Sequence, residues 1–267
     1  MVVARAEQPL RIKLIDFGLA IPACRAEQGS TVQTLTYGAP EIILGLQFSE
    51  AVDMWSLGVV MAFILTGESL FEASNDYDAM HGMVELLGVP ADHLLEAGKY
   101  STSYFSKDQT GQWKLKMPEE FWLDETPPAD CRHYTLRDLD ELETLPLPNL
   151  TDGDADEKKE CIHLLKVMLR LDEDERITPS QVLSHPFITR GTLKQSSDLI
   201  SSCSESREAP PSTPISILVK SAPPECCLRL HEDLVFLHIF LRTAAGKRRH
   251  LMTTASLQVG NIVNVQD

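Results

Sequence analysis

No stretch of this chain is apolar for long enough to cross a bilayer. Its longest apolar segment, residues 50–66 ("EAVDMWSLGVVMAFILT"), holds an apolar run of about a dozen residues broken by Asp53, Ser56 and Gly58, short of the ~20 that a span needs. It therefore reads as a helix buried in a core. Basic residues are also scarce. The 24 Lys and Arg stand against 39 Asp and Glu, a net charge of -15, which argues against a nucleic-acid-binding face and for a solvated acidic surface. Cysteine occurs six times, with no C-x-x-C pair and no Cys/His zinc spacing. That pattern fits reduced thiols in a cytosolic or nuclear protein better than a disulfide framework. No apolar run follows the first basic residues, so no signal peptide is expected, and the sequon Asn149-Leu150-Thr151 reads as chance. No internal repeat is visible. His163 and His185 stand singly along the sequence without a ligand cluster, and a packing role is expected for both.

What is present suffices for a core: 43% of the 267 residues are hydrophobic, enough for one large domain or two small ones. Residues 10–15 ("LRIKLI") alternate and end at Asp16-Phe17-Gly18, a strand followed by a turn. Residues 21–38 are polar and read as a loop, after which Ala39-Pro40-Glu41 opens the apolar "IILGL". Helical spacing over 76–87 is stopped by "GVP". Residues 98–155 look mixed and partly irregular, with a short helix near 134–143. An amphipathic helix over 157–170 places Cys161, Leu164, Leu165 and Met168 on one side. Thr178 is the N-cap of a further helix, with Pro179 at its first position and Pro186 as its stop. Residues 191–227 form a Ser/Pro-rich linker expected to be disordered. Residues 228–267 are a tail with one short apolar segment and a small basic cluster, "KRRH".

Four motifs fall in a meaningful order. Asp16-Phe17-Gly18 and Ala39-Pro40-Glu41 lie 23 residues apart across a polar loop, the layout of an activation segment. "DMWSLG" (53–58) follows, then "DEDERIT" (172–178) with "HPF" (185–187). Together with "QPLRIKLIDFG", "APEIILGLQFSEAVDMWSLG" and "LGVPADHLLEAGKYSTSYF", these make residues 8–190 resemble the C-terminal lobe of a protein kinase of the CMGC group. The likeness is to the homeodomain-interacting protein kinases and their dual-specificity tyrosine-regulated relatives. It implies a protein-kinase-like α+β fold, here the mainly α-helical C-lobe with a short β segment at its start and no N-lobe. The partial kinase domain would occupy residues 1–190.

By that resemblance Asp16 would bind magnesium bridging the phosphates of ATP, since a hard dication takes oxygen ligands; the dull alternative is a turn aspartate that caps backbone. Phe17 and Gly18 would lie next to the nucleotide, Gly18 by permitting unusual backbone dihedrals. The activation segment would include Ser30, Thr31, Thr34, Thr36, Tyr37, Ala39, Pro40 and Glu41, with Thr34 aligned to the residue that contacts the catalytic aspartate. Glu41 would pair with Arg176 and tie the segment to the lobe. Asp53 would suit the dipole of its helix and accept backbone hydrogen bonds, and Trp55 would be core. The resemblance also marks departures. Val32 stands where a self-phosphorylated tyrosine is expected, and Gly38 replaces the arginine before Ala39, which puts the usual phosphate-driven ordering in question.

The sequence contains no G-x-G-x-x-G loop ahead of Asp16, no V-A-I-K lysine and no H-R-D catalytic loop; "HEDL" at 231–234 reads as chance. No catalytic residue is assigned in this chain. Met1 aligns with a residue just past the metal-binding asparagine, as an internal start or a truncated product would. Three readings follow. One is a serine/threonine kinase whose first half is missing, using ATP and magnesium in principle but inactive as it stands. Another is a binding module or decoy that docks protein substrates or regulatory proteins beside the helix after Asp76 or through "APPSTP" (209–214). The third is a lobe that barely folds, with residues 1–38 least ordered and Asp53 an unpaired buried carboxylate costing about 1–3 kcal/mol. No direct nucleic-acid partner and no membrane are expected, the oligomeric state is open, and the location is nuclear or cytoplasmic.

Overall fold

Burial more than propensity decides where this chain is helical, and residues 51–66 show it first. The computed structural model describes residues 2–3, 11–12, 18–122, 136–147 and 155–189. The expected linker and tail lie outside them, as do Asp16 and Phe17. Among the described residues the order begins with β1 (Val2–Val3) and β2 (Arg11–Ile12), an antiparallel pair with Val2 opposite Ile12. Helices α1 (Pro40–Leu44), α2 (Ala51–Thr66), α3 (Asp76–Leu87), α4 (Asp92–Ala97) and α5 (Ser101–Tyr104) follow. Next come a hairpin of β3 (Phe105–Lys107) and β4 (Trp113–Leu115), α6 (Pro118–Trp122), α7 (Ala155–Met168) and α8 (Pro179–Ser184). No helix among the described residues is long and apolar enough to cross a membrane.

α2 is the centre of the core. Trp55, Met61, Ala62 and Leu65 are wholly buried along it, and each large side chain so placed contributes about 1.5–3 kcal/mol of transfer free energy. α7 packs against α2 with the face the sequence predicts: Cys161, Leu164, Leu165 and Met168 are all buried. The helices approach closely at Gly58, where a Cβ would come within 2.9 Å of Leu169 Cδ2 and 3.0 Å of Met168 Cβ. A glycine inside a helix costs about 0.5–1 kcal/mol relative to alanine; here it permits the crossing.

The ends of the helices follow their residues. Asn75 caps α3 by accepting from the Asp78 N–H at 3.0 Å, and Asp76 and Asp78 place negative charge in its first turn, where the dipole favours it. Thr178 caps α8 and Pro179 lies in its first turn, as the sequence predicts, and the Gln181 side chain completes a capping box.

Three expectations need correction. Residues 101–122 are regular, not mixed: α5, the β3–β4 hairpin and α6 fill them. Asp108 Oδ1 builds the turn, accepting from the Thr110 N–H at 2.7 Å, the Thr110 hydroxyl at 2.6 Å and the Gln112 N–H at 3.1 Å, bonds that hold its carboxyl below the usual range. The helix expected near 134–143 is a 3-10 helix over Leu139–Glu143, capped by Asp138. Asp53 also differs from expectation. It sits in the first turn of α2 but is exposed, so the desolvation cost of a buried carboxylate does not arise.

Candidate functional site

The residues singled out by sequence converge on the segment from Gly18 to Leu46. Gly18 is exposed in a turn with Leu19; Asp16 and Phe17 lie outside the described residues. Residues 21–38 carry two short 3-10 helices, Ala23–Arg25 and Leu35–Tyr37. Thr31 and Thr34 are exposed, while Ser30, Thr36 and Tyr37 are half-buried. Ala39, Pro40 and Glu41 are buried at the head of α1.

α1 is anchored by the one pair the sequence placed there. Arg176 donates through Nη1 to Glu41 Oε1 at 2.6 Å and through Nη2 to Oε2 at 2.9 Å, the fork-on-fork geometry that only arginine supplies. The two side chains are 0% and 2% exposed. Burial of both charges is tolerable because Arg176 also donates to Ala51 O at 2.8 Å and twice to Arg170 O, at 3.2 and 3.0 Å. Its guanidinium lies 5.4 Å from the centre of the Trp55 ring, which stacks on Phe71 at 5.6 Å. The Trp55 Nε1–H is buried with no hydrogen-bond partner among the described residues.

Sequence reasoning missed the residue that orders the segment itself. Gln33 Oε1 accepts from the Ala39 N–H at 2.9 Å, and its Nε2 donates to Val52 O at 2.9 Å and to Ser56 Oγ at 2.7 Å. The Ser56 hydroxyl in turn donates a hydrogen bond to Tyr37 O at 2.9 Å. Every polar atom of the amide is thus used in binding the loop to α2. Val32, beside it, packs against the core. A single glutamine in a polar loop carries no sequence signal of this role.

A second set of bonds holds the earlier part of the loop to the α4–α5 connection. Gln28 Nε2 donates to Gly45 O at 3.0 Å and Ala97 O at 3.2 Å, Lys99 Nζ donates to Gln28 O at 2.7 Å, and the Tyr100 hydroxyl donates to Gly29 O at 3.2 Å. Gly45 makes this possible. Its φ is +66°, and a Cβ there would stand 2.6 Å from the Tyr100 ring. Glu173 completes the frame by accepting from Ser49 N–H and Oγ at 3.0 and 2.8 Å; burial raises its carboxyl pKa, a shift that these bonds partly offset.

His163 and His185 are not the isolated packing histidines expected. α7 and the end of α8 bring their rings together, with Glu160 close by.

Against known proteins, residues 1–188 match the protein kinase domain family. Homeodomain-interacting protein kinase 1 of Mus musculus is 38% identical over 202 residues, 72% of this chain and 17% of that protein. Homeodomain-interacting protein kinase 2 of Mesocricetus auratus is 37% identical over 198 residues, 71% of this chain and 17% of that protein. Homeodomain-interacting protein kinase 4 of Homo sapiens is 36% identical over 212 residues, 73% of this chain and 34% of that protein. The chain thus spans from 17% to 34% of the length of these relatives.

Proposed function

This chain belongs to the protein kinase family and is of the homeodomain-interacting type, and on that premise we propose that it is the substrate-facing lobe of a serine/threonine kinase. The observation that carries this reading is the buried Glu41–Arg176 pair. It fixes the end of the activation segment to the lobe, and Gln33 fixes the middle of it to α2. A segment held in this way is a platform on which a protein substrate is positioned, and phosphoryl transfer depends mostly on positioning and charge stabilisation. Ser30, Thr31, Thr34, Thr36 and Tyr37 belong to that platform. A nuclear or cytoplasmic site of action fits the family.

ATP and magnesium fit this chain only in part. Asp16 is a suitable oxygen donor for a hard dication, with Phe17 and Gly18 beside it. The 267 residues contain no phosphate-cradling glycine loop, no lysine strand and no catalytic-loop base, so they do not complete a nucleotide site and no catalytic step is assigned to them. On their own they turn over no substrate. The test is transfer of labelled phosphate from ATP-magnesium to a basic protein by the purified chain and by its Asp16→Ala variant. Equal, background-level signals are expected; turnover that Asp16→Ala abolishes overturns the reading.

A second reading, docking of substrates or regulatory proteins without turnover, draws support from the Gln33 and Glu41–Arg176 bonds, which hold the segment to the lobe through protein groups alone. Binding of a protein substrate that is unchanged in the absence of ATP is its expected signature, and loss of binding without ATP counts against it.

A further inference from the structure

Glu160 and His163 stand one turn apart on α7, at the i, i+3 spacing that puts two side chains on one face of a helix. His185 ends α8 and reaches the same place. The His163 and His185 rings stack with centroids 5.1 Å apart and planes within 17°, and His163 Nδ1 lies 2.8 Å from His185 Nε2. One ligand atom from each of the three residues, a ring nitrogen of either histidine and a Glu160 carboxylate oxygen, lies within 4.8 Å of the other two. His185 is buried, Glu160 half-buried and His163 exposed, so the cluster has a fixed floor and a side open to solvent.

We propose that Glu160, His163 and His185 form a binding site for a transition-metal dication of the zinc class. Two imidazole nitrogens and one carboxylate oxygen are the donor set of three-ligand zinc sites, with the fourth position left to water. Magnesium and calcium prefer oxygen throughout, and nitrogen donors select later first-row metals. A tetrahedral ion at about 2.0–2.1 Å from each donor holds them roughly 3.3 Å apart. The histidine pair must therefore open slightly and the carboxylate must close in, movements available to the exposed His163 and the half-buried Glu160.

The proton positions set the cost. Phe187 N–H donates to His185 Nδ1 at 3.2 Å, so that nitrogen holds a lone pair and the proton is on Nε2, donated to His163 Nδ1. The His163 proton is then on Nε2. A metal on His185 Nε2 moves that proton to Nδ1 and takes away the acceptor from Phe187 N–H. One lost neutral hydrogen bond weakens the site roughly fivefold. His163 binds through Nδ1 with no change of tautomer. Proton count is unchanged in both rings.

The test is zinc chloride titrated into the full 267-residue chain in competition with a chromophoric chelator. The chain has six cysteines and eight histidines, so the difference between variants is the readout. His163→Ala, an exposed position, is expected to weaken binding at least about tenfold, no less than the loss of a group that only supports a ligand costs, and Glu160→Gln severalfold. His185→Asn keeps an acceptor for Phe187 N–H and removes Nε2, and is expected to match His163→Ala. In 15N spectra the Phe187 amide shifts on zinc saturation. Equal zinc affinity in the parent chain and His163→Ala, an unmoved Phe187 amide, or displacement of zinc by equimolar magnesium each overturns the proposal.

Discussion

Replacing Arg176 by methionine tests directly the frame that holds Glu41 and the head of α1. The change keeps much of the aliphatic stem and removes five donated hydrogen bonds. Glu41, 1% exposed, is left as a buried carboxylate without its cation, which costs about 3–5 kcal/mol. Arg170 O loses both of the bonds Arg176 gives it, adding about 1 kcal/mol. The sum, roughly 4–6 kcal/mol, approaches the whole margin of a domain whose stability is about 5–15 kcal/mol. Urea denaturation followed by tryptophan fluorescence reads it, because Trp55 lies under the guanidinium. With a slope of about 1–3 kcal/mol per molar urea, the midpoint should fall by about 2 M or the variant should not fold at all. The double variant Glu41→Met with Arg176→Met removes both charges and should recover at least about 2 kcal/mol, since an apolar pair of similar volume is often neutral to stability. A single variant that costs less than about 1 kcal/mol, or a double variant no more stable than the single, refutes the reasoning.

Three further outcomes follow from the same geometry. Gln33→Ala strips the Ala39 N–H and the Tyr37–Ser56 chain of their partner, and amide exchange over 33–39 should quicken about tenfold or more while α7 is unchanged; equal protection in both regions contradicts the assigned role. Thr178→Ala breaks the α8 capping box and should cost about 1 kcal/mol, read as a fall in Tm of about 2–4 °C. Burial, with Asp76 adding, pushes the Tyr104 phenol up to about 12. The folded value exceeds the ordinary 10, so stability tied to the neutral phenol is whole below pH 10 and lost as pH rises toward 12, roughly 2–3 kcal/mol in all. Tyr104→Phe should flatten the stability curve between those pH values, and an unchanged slope removes Tyr104 as its source.

Long-range features were legible where one residue type carries a strong constraint. α2 announces itself because an all-round apolar segment of its length has only one soluble solution, burial. The Glu41–Arg176 contact spans 135 residues and no local pattern encodes it; it came only as an implication of the family resemblance that the flanking motifs carry. The β3–β4 hairpin was missed because its strands are three residues each, too short for alternation to register, although Asp108 and Gly111 carry the turn chemistry. Gln33 was not legible, since its role exists only once Val52 and Ser56 lie beside it. Nor was the meeting of His163 and His185, which belong to different elements and depend on how α7 and α8 pack. Asp53 was misjudged because its helix is buried almost all round, while its own position in the first turn faces solvent.

The Glu41–Arg176 bridge also dictates an order of events in folding. Its partners are 135 residues apart, and closing a loop of that length in an unfolded chain costs on the order of 4 kcal/mol in entropy alone. Neither charge can leave water before the other arrives. The helices between them must collapse first and shorten the effective loop, so the bridge forms late, as a lock on a lobe already assembled. It then acts on how slowly the lobe comes apart rather than on how quickly it forms.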